Sequence, residues 1–141
     1  MRRHLHIAIL PVMFVLILSG CGPSGGPSTS ISMTMTDFTF LPNTLTVPAG
    51  EEITLKVTNS GAVAHDFMIM KLGHELSSHE HVDENAHANA YWEQDLLQAG
   101  DTLQSTFMAP AEPGEYQILC GVAGHLAAGM VGRLTVVTAA P

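Results

Sequence analysis

Residues 118–137 read ILCGVAGHLAAGMVGRLTVV, a segment in which Cys120, His125 and Met130 follow one another at intervals of five residues. The apolar residues at its two ends predict a strand on each side of a glycine-rich, almost uncharged loop. The loop therefore brings a thiol, an imidazole and a thioether close together. Either this spacing is an accident of a loop rich in small residues, or three soft ligands are directed at one point.

Upstream of this loop, from Ile31 onward, the sequence has the pattern of short strands. Apolar and polar residues alternate, β-branched residues are frequent, and the breaks fall at proline, glycine and asparagine. Seven strands are predicted, at residues 31–40, 44–47, 52–58, 63–70, 103–108, 115–120 and 131–137. Seven short strands within residues 31–141 indicate an all-β domain, a Greek-key sandwich of two sheets.

Residues 71–100 interrupt this pattern. They are rich in glutamate, aspartate, histidine, asparagine and alanine and poor in β-branched residues, which predicts a helical or irregular insertion before the fifth strand, with helical turns near residues 84–93. A loop of this length is usually functional or mobile. Its acidic residues could steer a basic partner or could form an ordinary solvated face. These residues are Glu75, Glu80, Asp83, Glu84, Glu93 and Asp95.

The first 20 residues have the pattern of an export signal. A basic start precedes an apolar run over residues 7–18, which is shorter than the about 20 residues of a spanning helix. The ending LSGC resembles a bacterial lipoprotein signal, in which cleavage leaves Cys21 as a lipidated N-terminus; a plain secretory signal is the alternative. The glycine, proline and serine residues of 21–30 then predict a flexible tether, and the folded domain spans residues 31–141.

These features predict a monomeric protein that a lipid anchors to the cell membrane, facing the periplasm or the exterior. The whole chain has five basic and 13 acidic residues, a formal charge of −8. Loss of Arg2 and Arg3 with the signal peptide would change that charge from −8 to −10. A surface this negative repels nucleic acid and favours a basic partner, although solubility outside the cell explains it equally well.

Cys21 and Cys120 are the two cysteines of the chain. If Cys21 carries lipid, Cys120 has no disulfide partner, and an unpaired exported thiol needs protection from oxidation, which metal binding can provide. His65 lies in the apolar segment 63–69, where a single histidine is more often structural than a ligand. A Greek-key sandwich can nevertheless bring that strand end beside the loop between the last two strands.

Two imidazoles, one thiol and one thioether form an informative donor set. Two histidines and one cysteine with a distant axial methionine characterise blue copper centres, and no carboxylate is present to favour magnesium, calcium or manganese. Zinc is the main competitor, but methionine is a poor ligand for it. A nucleophilic cysteine with a histidine base is the other competitor. Both leave Met130 and His65 without a role.

On these residues the chain resembles the cupredoxins, the small blue copper proteins. The resemblance covers residues 31–138 and is strongest in CGVAGHLAAGMVGRLTVVT. It implies one bound copper with three strong ligands and one weak axial ligand, namely His65, Cys120, His125 and, in the axial position, Met130. It further implies single-electron shuttling between membrane complexes, with a cytochrome-containing donor and a basic or haem-bearing acceptor, and no enzymatic activity.

Asp66 departs from the pattern of that family, in which asparagine usually follows the first histidine. The asparagine side chain helps to fasten the cysteine-bearing loop. An ionised aspartate can accept a hydrogen bond from a loop N–H group but cannot donate one. We therefore expect Asp66 to lie beside the ligands and to lower the reduction potential, because negative charge stabilises Cu(II).

In an electron carrier of this kind, one edge of His125 would reach the solvent and serve as the electron port. The residues around it would form an apolar docking patch that excludes water without locking the partner in place. These residues are Gly121, Val122, Ala123, Leu126 and Ala127.

Copper storage or delivery is the alternative function. Histidines and methionines outside the predicted site could bind further copper, although alternating methionines in strands usually form one face of a sheet. These residues are His74, His79, His81 and His87, together with Met33, Met35, Met68 and Met70. A copper enzyme would need a second, open copper site or further domains, for which the chain has neither the ligands nor the length.

Overall fold

The computed structural model describes residues 26–139, and the predicted signal peptide and Cys21 lie outside the described residues. Within that range the elements in chain order are β1 (Ser30–Thr36), β2 (Thr39–Leu41), β3 (Thr44–Pro48), β4 (Glu52–Asn59), β5 (His65–Met70), α1 (Glu84–Ala88), β6 (Ala90–Leu97), β7 (Thr102–Met108), β8 (Gly114–Leu119) and β9 (Val131–Val137). They form a four-stranded sheet, β2-β1-β4-β7, and a five-stranded sheet, β3-β9-β8-β5-β6. The predicted all-β two-sheet sandwich is confirmed. Among the described residues, no helix has the length and apolar character needed to cross a bilayer.

Alternation along the strands produces the core between the two sheets. In β4, Ile53, Leu55 and Val57 are buried, whereas Thr54 and Lys56 lie on the opposite face. The strands β1 and β9 contribute in the same way, with Met33, Met35, Leu134 and Val136 buried. The alternating methionines of β1 are therefore core residues.

One predicted strand, residues 31–40, is two strands in the structure. β1 ends at Thr36 and β2 begins at Thr39, and these two residues face each other in an antiparallel pair. Asp37 and Phe38 form the turn between them, and Phe38 has a φ angle of 113°. The sequence TMTDFTF conceals this reversal because residues of strand type continue on both sides of the aspartate.

The predicted helix over residues 84–93 is wrong in its second half. The helix α1 covers five residues and begins after Asp83, whose carboxylate accepts a hydrogen bond from the Ala86 N–H group. The chain then forms β6, which pairs antiparallel with β5 at the edge of the five-stranded sheet. The centre of this edge strand, Glu93-Gln94-Asp95, resembles a loop in composition, because acidic residues occupy exposed positions there.

The segment between β5 and β6 packs against the outer face of the five-stranded sheet. Met68 and Met70 of β5 point to that face and are buried there with Leu119 and Leu126. Partly buried residues of the segment and of β6 pack against them, namely Leu76, Val82 and Ala90. The insertion thus covers the strand that begins with His65 and contacts the loop that follows Cys120.

Candidate metal centre

The predicted ligands come together at one end of the sandwich because of the strand order. β8 lies between β5 and β9, and Met68 of β5 faces Leu119 of β8 in an antiparallel pair. The first residue of β5, His65, therefore lies near the residue that follows β8, Cys120. Backbone hydrogen bonds close the loop to β9, from Met130 N–H to the His125 carbonyl and from Cys120 N–H to the Met130 carbonyl.

Three of the four predicted ligand side chains converge on one point. The distance between His65 Nδ1 and His125 Nδ1 is 3.1 Å. The Cys120 Sγ atom lies 3.3 Å from His125 Nδ1 and 3.9 Å from His65 Nδ1. All three residues are buried, and their donor atoms lie within 4.8 Å of one another. Two imidazoles and one sulfur, with no carboxylate in the group, fit copper.

Met130 is fully buried in the same core cluster as Cys120. Its backbone forms hydrogen bonds with both Cys120 and His125 and so closes the ligand loop. The thioether side chain therefore extends from the residue at which the loop closes. A methionine in this position suits the long axial interaction of a blue copper centre.

The electrostatic environment keeps the thiol protonated in the absence of metal. Burial, followed by the negative charge of Asp66, raises the pKa of Cys120 to about 12. Backbone N–H groups of Asp66 and Val122 oppose this shift. Burial also lowers the pKa of His125, with a further contribution from the neighbouring His65, so this imidazole is held in the neutral form that binds metals.

Asp66 lies where the sequence predicted, beside the ligand loop. Its carboxylate accepts a hydrogen bond from the Gly121 N–H group, next to Cys120. A Cβ atom at Gly121 would lie 2.8 Å from the Met68 sulfur and 2.9 Å from Asp66 Oδ2, so a larger residue here would force Met68 and Asp66 to shift. Asp66 thus fastens the loop of Cys120 to β5.

Sequence reasoning missed Asp37. Its Oδ1 atom lies 3.2 Å from Nε2 of His65, on the side of the ring away from the other ligands. The N–H group of Ala62, followed by His65, lowers the pKa of Asp37 below its ordinary value. An aspartate between two threonine-rich strand segments is a turn signal, and it could have located this residue at a reversal of the chain.

His125 is the least buried of the three converging ligands. It is 8% exposed, whereas His65 and Cys120 are fully buried. Its neighbours in the loop, Ala123, Gly124 and Ala127, are exposed. The electron port at His125 stays a prediction.

The other histidines lie outside the cluster of predicted ligands. In the described part of the chain, His65, Cys120 and His125 are the only group of three or more His, Cys, Asp or Glu side chains arranged to hold a metal ion. In the insertion, His87 Nδ1 contacts the Glu93 carboxylate at 3.1 Å.

Comparison with known proteins identifies the class. Residues 7–136 match the family described as the Cupredoxin-like domain, and the chain belongs to this family. The site is a type 1 copper centre that takes one copper, with His65, Cys120, His125 and Met130 as its ligands. The protein is accordingly a blue copper electron-transfer protein, and cupredoxins are electron carriers rather than enzymes.

Within the family, the chain is similar to the auracyanins. It is 28% identical to Auracyanin-A from Chloroflexus aurantiacus over 159 aligned positions, which cover 95% of this chain and 96% of that protein. The structure of dithionite-reduced auracyanin from Roseiflexus castenholzii is 30% identical, with a TM-score of 0.68; the match covers 79% of this chain and 98% of that chain. The structure of auracyanin A, a "blue" copper protein from Chloroflexus aurantiacus, is 27% identical, with a TM-score of 0.62; the match covers 77% of this chain and 99% of that chain.

The contact between Asp66 and Gly121 leads to a prediction about the reduction potential. Asp66→Asn removes a negative charge beside Cys120 while an amide oxygen remains to accept the Gly121 N–H group, so Cu(II) loses stabilisation relative to Cu(I). We expect the reduction potential to rise by tens of millivolts. For a one-electron couple, about 59 mV corresponds to a tenfold change in the equilibrium constant. Voltammetry at neutral pH measures this shift. Asp83→Asn is the control, because it removes the same charge and retains a helix cap; an unchanged or lowered potential in Asp66→Asn would contradict the prediction.

Proposed function

We propose that this protein carries single electrons between membrane-associated redox complexes on the outer side of the cytoplasmic membrane, to which Cys21 anchors it through lipid. The observation that carries the proposal is the position of His125, whose Nδ1 atom is directed at the other ligands while loop residues on either side of it, Gly124 and Ala127, are exposed. Electrons can pass through this imidazole without any substrate entering the protein.

The fold holds the ligands in a nearly constant arrangement. The copper, when bound, supplies the change between Cu(II) and Cu(I). His65 begins a strand that is buried on both faces, and Cys120 follows a strand in the middle of the same sheet. Because His65 belongs to a strand and Cys120 directly follows one, little nuclear rearrangement accompanies each electron, which favours rapid transfer.

Small apolar residues of the ligand loop lie next to His125 in sequence and form the docking surface of the proposal. Ala123, Gly124, Ala127 and Ala128 are exposed. Leu126 was predicted to belong to this surface, but it is buried at 3% exposure and packs inward against the outer face of the sheet. A surface of such short side chains permits a partner to approach closely and to leave again.

The partners of the proposal are a cytochrome-containing donor and a basic or haem-bearing acceptor. The negative charge of the chain, −8, supports steering of a basic protein. Some acidic residues of the insertion already have local partners, since Glu80 accepts the Ser77 N–H group, Asp83 caps α1 and Glu93 contacts His87. Accepting a hydrogen bond leaves a carboxylate charged, so these residues still add to the overall negative charge that would steer the partner.

The proposal of a lipid anchor depends on the predicted export signal and on Cys21, both of which precede residue 26. β1 begins at Ser30, and the Ser28 N–H group already donates to the Thr46 carbonyl, so the chain enters the sandwich at this point. A short tether of glycine, proline and serine would keep the domain close to the membrane and leave it free to turn between partners.

A charge placed in the docking surface tests the proposal. Ala127→Lys should slow reduction by a basic cytochrome about tenfold, because a charge would be desolvated and repelled in the complex. Ala111→Lys is the matched control; Ala111 is exposed in the loop before β8, at the end of that strand away from Cys120. Stopped-flow spectroscopy at two salt concentrations measures both rates. Equal rates for the two variants would refute docking at His125, and a rate independent of salt would refute steering.

A further inference from the structure

We propose that the turn between β1 and β2, Asp37 and Phe38, positions both histidine ligands of the copper centre from outside the ligand loop. Asp37 is a positioning residue for His65, and Phe38 is a positioning residue for His125. The proposal concerns the metal centre itself and does not depend on the identity of the redox partners.

The contact with Asp37 determines which nitrogen of His65 faces the metal site. His65 is fully buried, its Nδ1 atom faces His125 and Cys120, and its Nε2 atom faces Asp37 Oδ1 at 3.2 Å. A carboxylate accepts hydrogen bonds, so the proton of the neutral ring belongs on Nε2. The lone pair on Nδ1 is then directed at the metal site before any metal arrives.

Backbone groups hold the Asp37 carboxylate in place. The Ala62 N–H group lies 3.0 Å from each carboxylate oxygen, and the Val63 N–H group lies 3.4 Å from Oδ1. These residues precede β5, so one carboxylate joins the turn, the approach to β5 and the His65 ring. The oxygen that faces His65 therefore has little freedom to move.

Gly61 makes the close approach of Asp37 possible. A Cβ atom at this position would overlap Asp37 Oδ1 and lie 3.1 Å from its Cγ atom and 3.0 Å from His65 Nε2. Any side chain at position 61 would thus displace the carboxylate from the ring. Glycine here is a requirement of the contact between Asp37 and His65.

Phe38 contacts the histidines from the same turn. The centroid of its ring lies 4.9 Å from that of the His125 ring, with an interplanar angle of 77°. The centroid of the His65 ring lies 6.3 Å away, with an angle of 87°. Both contacts have edge-to-face geometry. Phe38 is 38% exposed and has a φ angle of 113°, which is strained for a residue other than glycine. The strained conformation places an aromatic ring against the ligands where it limits their tilt.

The metal-free protein tests the role of Asp37. At about pH 8, where an ordinary imidazole is neutral, long-range ¹⁵N–¹H NMR spectra should show His65 as a single tautomer with the proton on Nε2. Asp37→Ala should give a mixture of both tautomers, and Asp37→Asn, which retains an amide oxygen, should restore most of the preference. A single unchanged tautomer in Asp37→Ala would overturn the proposal for this residue.

Measurements of copper affinity distinguish an effect of the position of the Asp37 carboxylate from an effect of its charge. We expect Asp37→Ala to weaken copper affinity about tenfold, within the range for residues that hold a metal-ligating histidine. Gly61→Ala keeps the charge but displaces the carboxylate and should cause a similar loss. Asp101→Ala is the control, because Asp101 also accepts a backbone N–H group, that of Gln98, in a turn. Wild-type affinity in Gly61→Ala, or an equal loss in Asp101→Ala, would overturn a positioning role.

Replacement of Phe38 separates strain from positioning. Phe38→Gly relieves the strained φ angle, so the metal-free variant should unfold at the same or a higher urea concentration than the wild type. The loss of the ring should nevertheless accelerate removal of copper by a chelator about tenfold and alter the EPR spectrum of the Cu(II) form. An unchanged spectrum together with an unchanged rate of copper loss would show that Phe38 has only a structural role.

Discussion

Cys120→Ser is expected to abolish the intense visible absorption of the copper-loaded protein. That absorption requires a thiolate bound to Cu(II), and a serine hydroxyl is a harder and much weaker donor. Cys120 is fully buried, and serine has nearly the same shape, so the sandwich should remain folded. The visible spectrum, recorded at a known copper content, measures the effect.

Cys21→Ser is the matched control for this experiment. The chain has two cysteines, and Cys120, the one in the described part of the chain, lies with His65 and His125 in the metal-binding group. The control variant should keep the full absorption per bound copper. If the colour survived Cys120→Ser, or disappeared in Cys21→Ser, thiolate ligation by Cys120 would be wrong.

Leu134→Ala is expected to lower the free energy of unfolding of the metal-free protein by about 2–5 kcal/mol, because it leaves a cavity in the core. Leu134 is fully buried in β9, between Leu45 of β3 and Tyr116 of β8. The loss is a large fraction of the roughly 5–15 kcal/mol that stabilises a typical domain. Urea unfolding of the metal-free form measures it without the additional stability that a bound metal confers.

Leu96→Ala removes the same atoms from a surface position and serves as the comparison. Leu96 is 51% exposed in the edge strand β6, so its loss should change stability by only about 0.5 kcal/mol. Similar urea concentrations at the midpoint of unfolding for the two variants would mean that the sheets do not pack around Leu134 as the structure shows. If the free energy of unfolding changed its slope against urea concentration in either variant, the mutation would have altered the unfolded or folded ensemble instead.

Local patterns in the sequence were sufficient for the fold class and for the three candidate ligands of the loop. The alternation of Ile53, Leu55 and Val57 with polar residues predicts one buried face, and the structure buries these residues. The ligand loop was recognisable because Cys120, His125 and Met130 are close in sequence and chemically unusual together. Such features depend on residues a few positions apart, so they are visible without tertiary structure.

Composition was a poor guide where a residue's environment depends on distant segments. The centre of β6 looks like a loop, because Glu93, Gln94 and Asp95 follow one another, and only its pairing with β5 makes this segment a strand. Leu126 looks like part of an exposed patch, yet the insertion and the outer face of the sheet bury it. Pairing and burial of this kind arise only when the chain is folded.

The supporting residues of the metal centre were decided by tertiary structure alone. Asp37 and His65 are 28 positions apart in sequence, and Phe38 reaches His125 from the opposite sheet. The sequence by itself determined the class of fold, most of the strands and the candidate copper ligands. Only packing of the two sheets brought the β1–β2 turn over the histidines, because long-range contacts depend on how whole strands are arranged rather than on local preference.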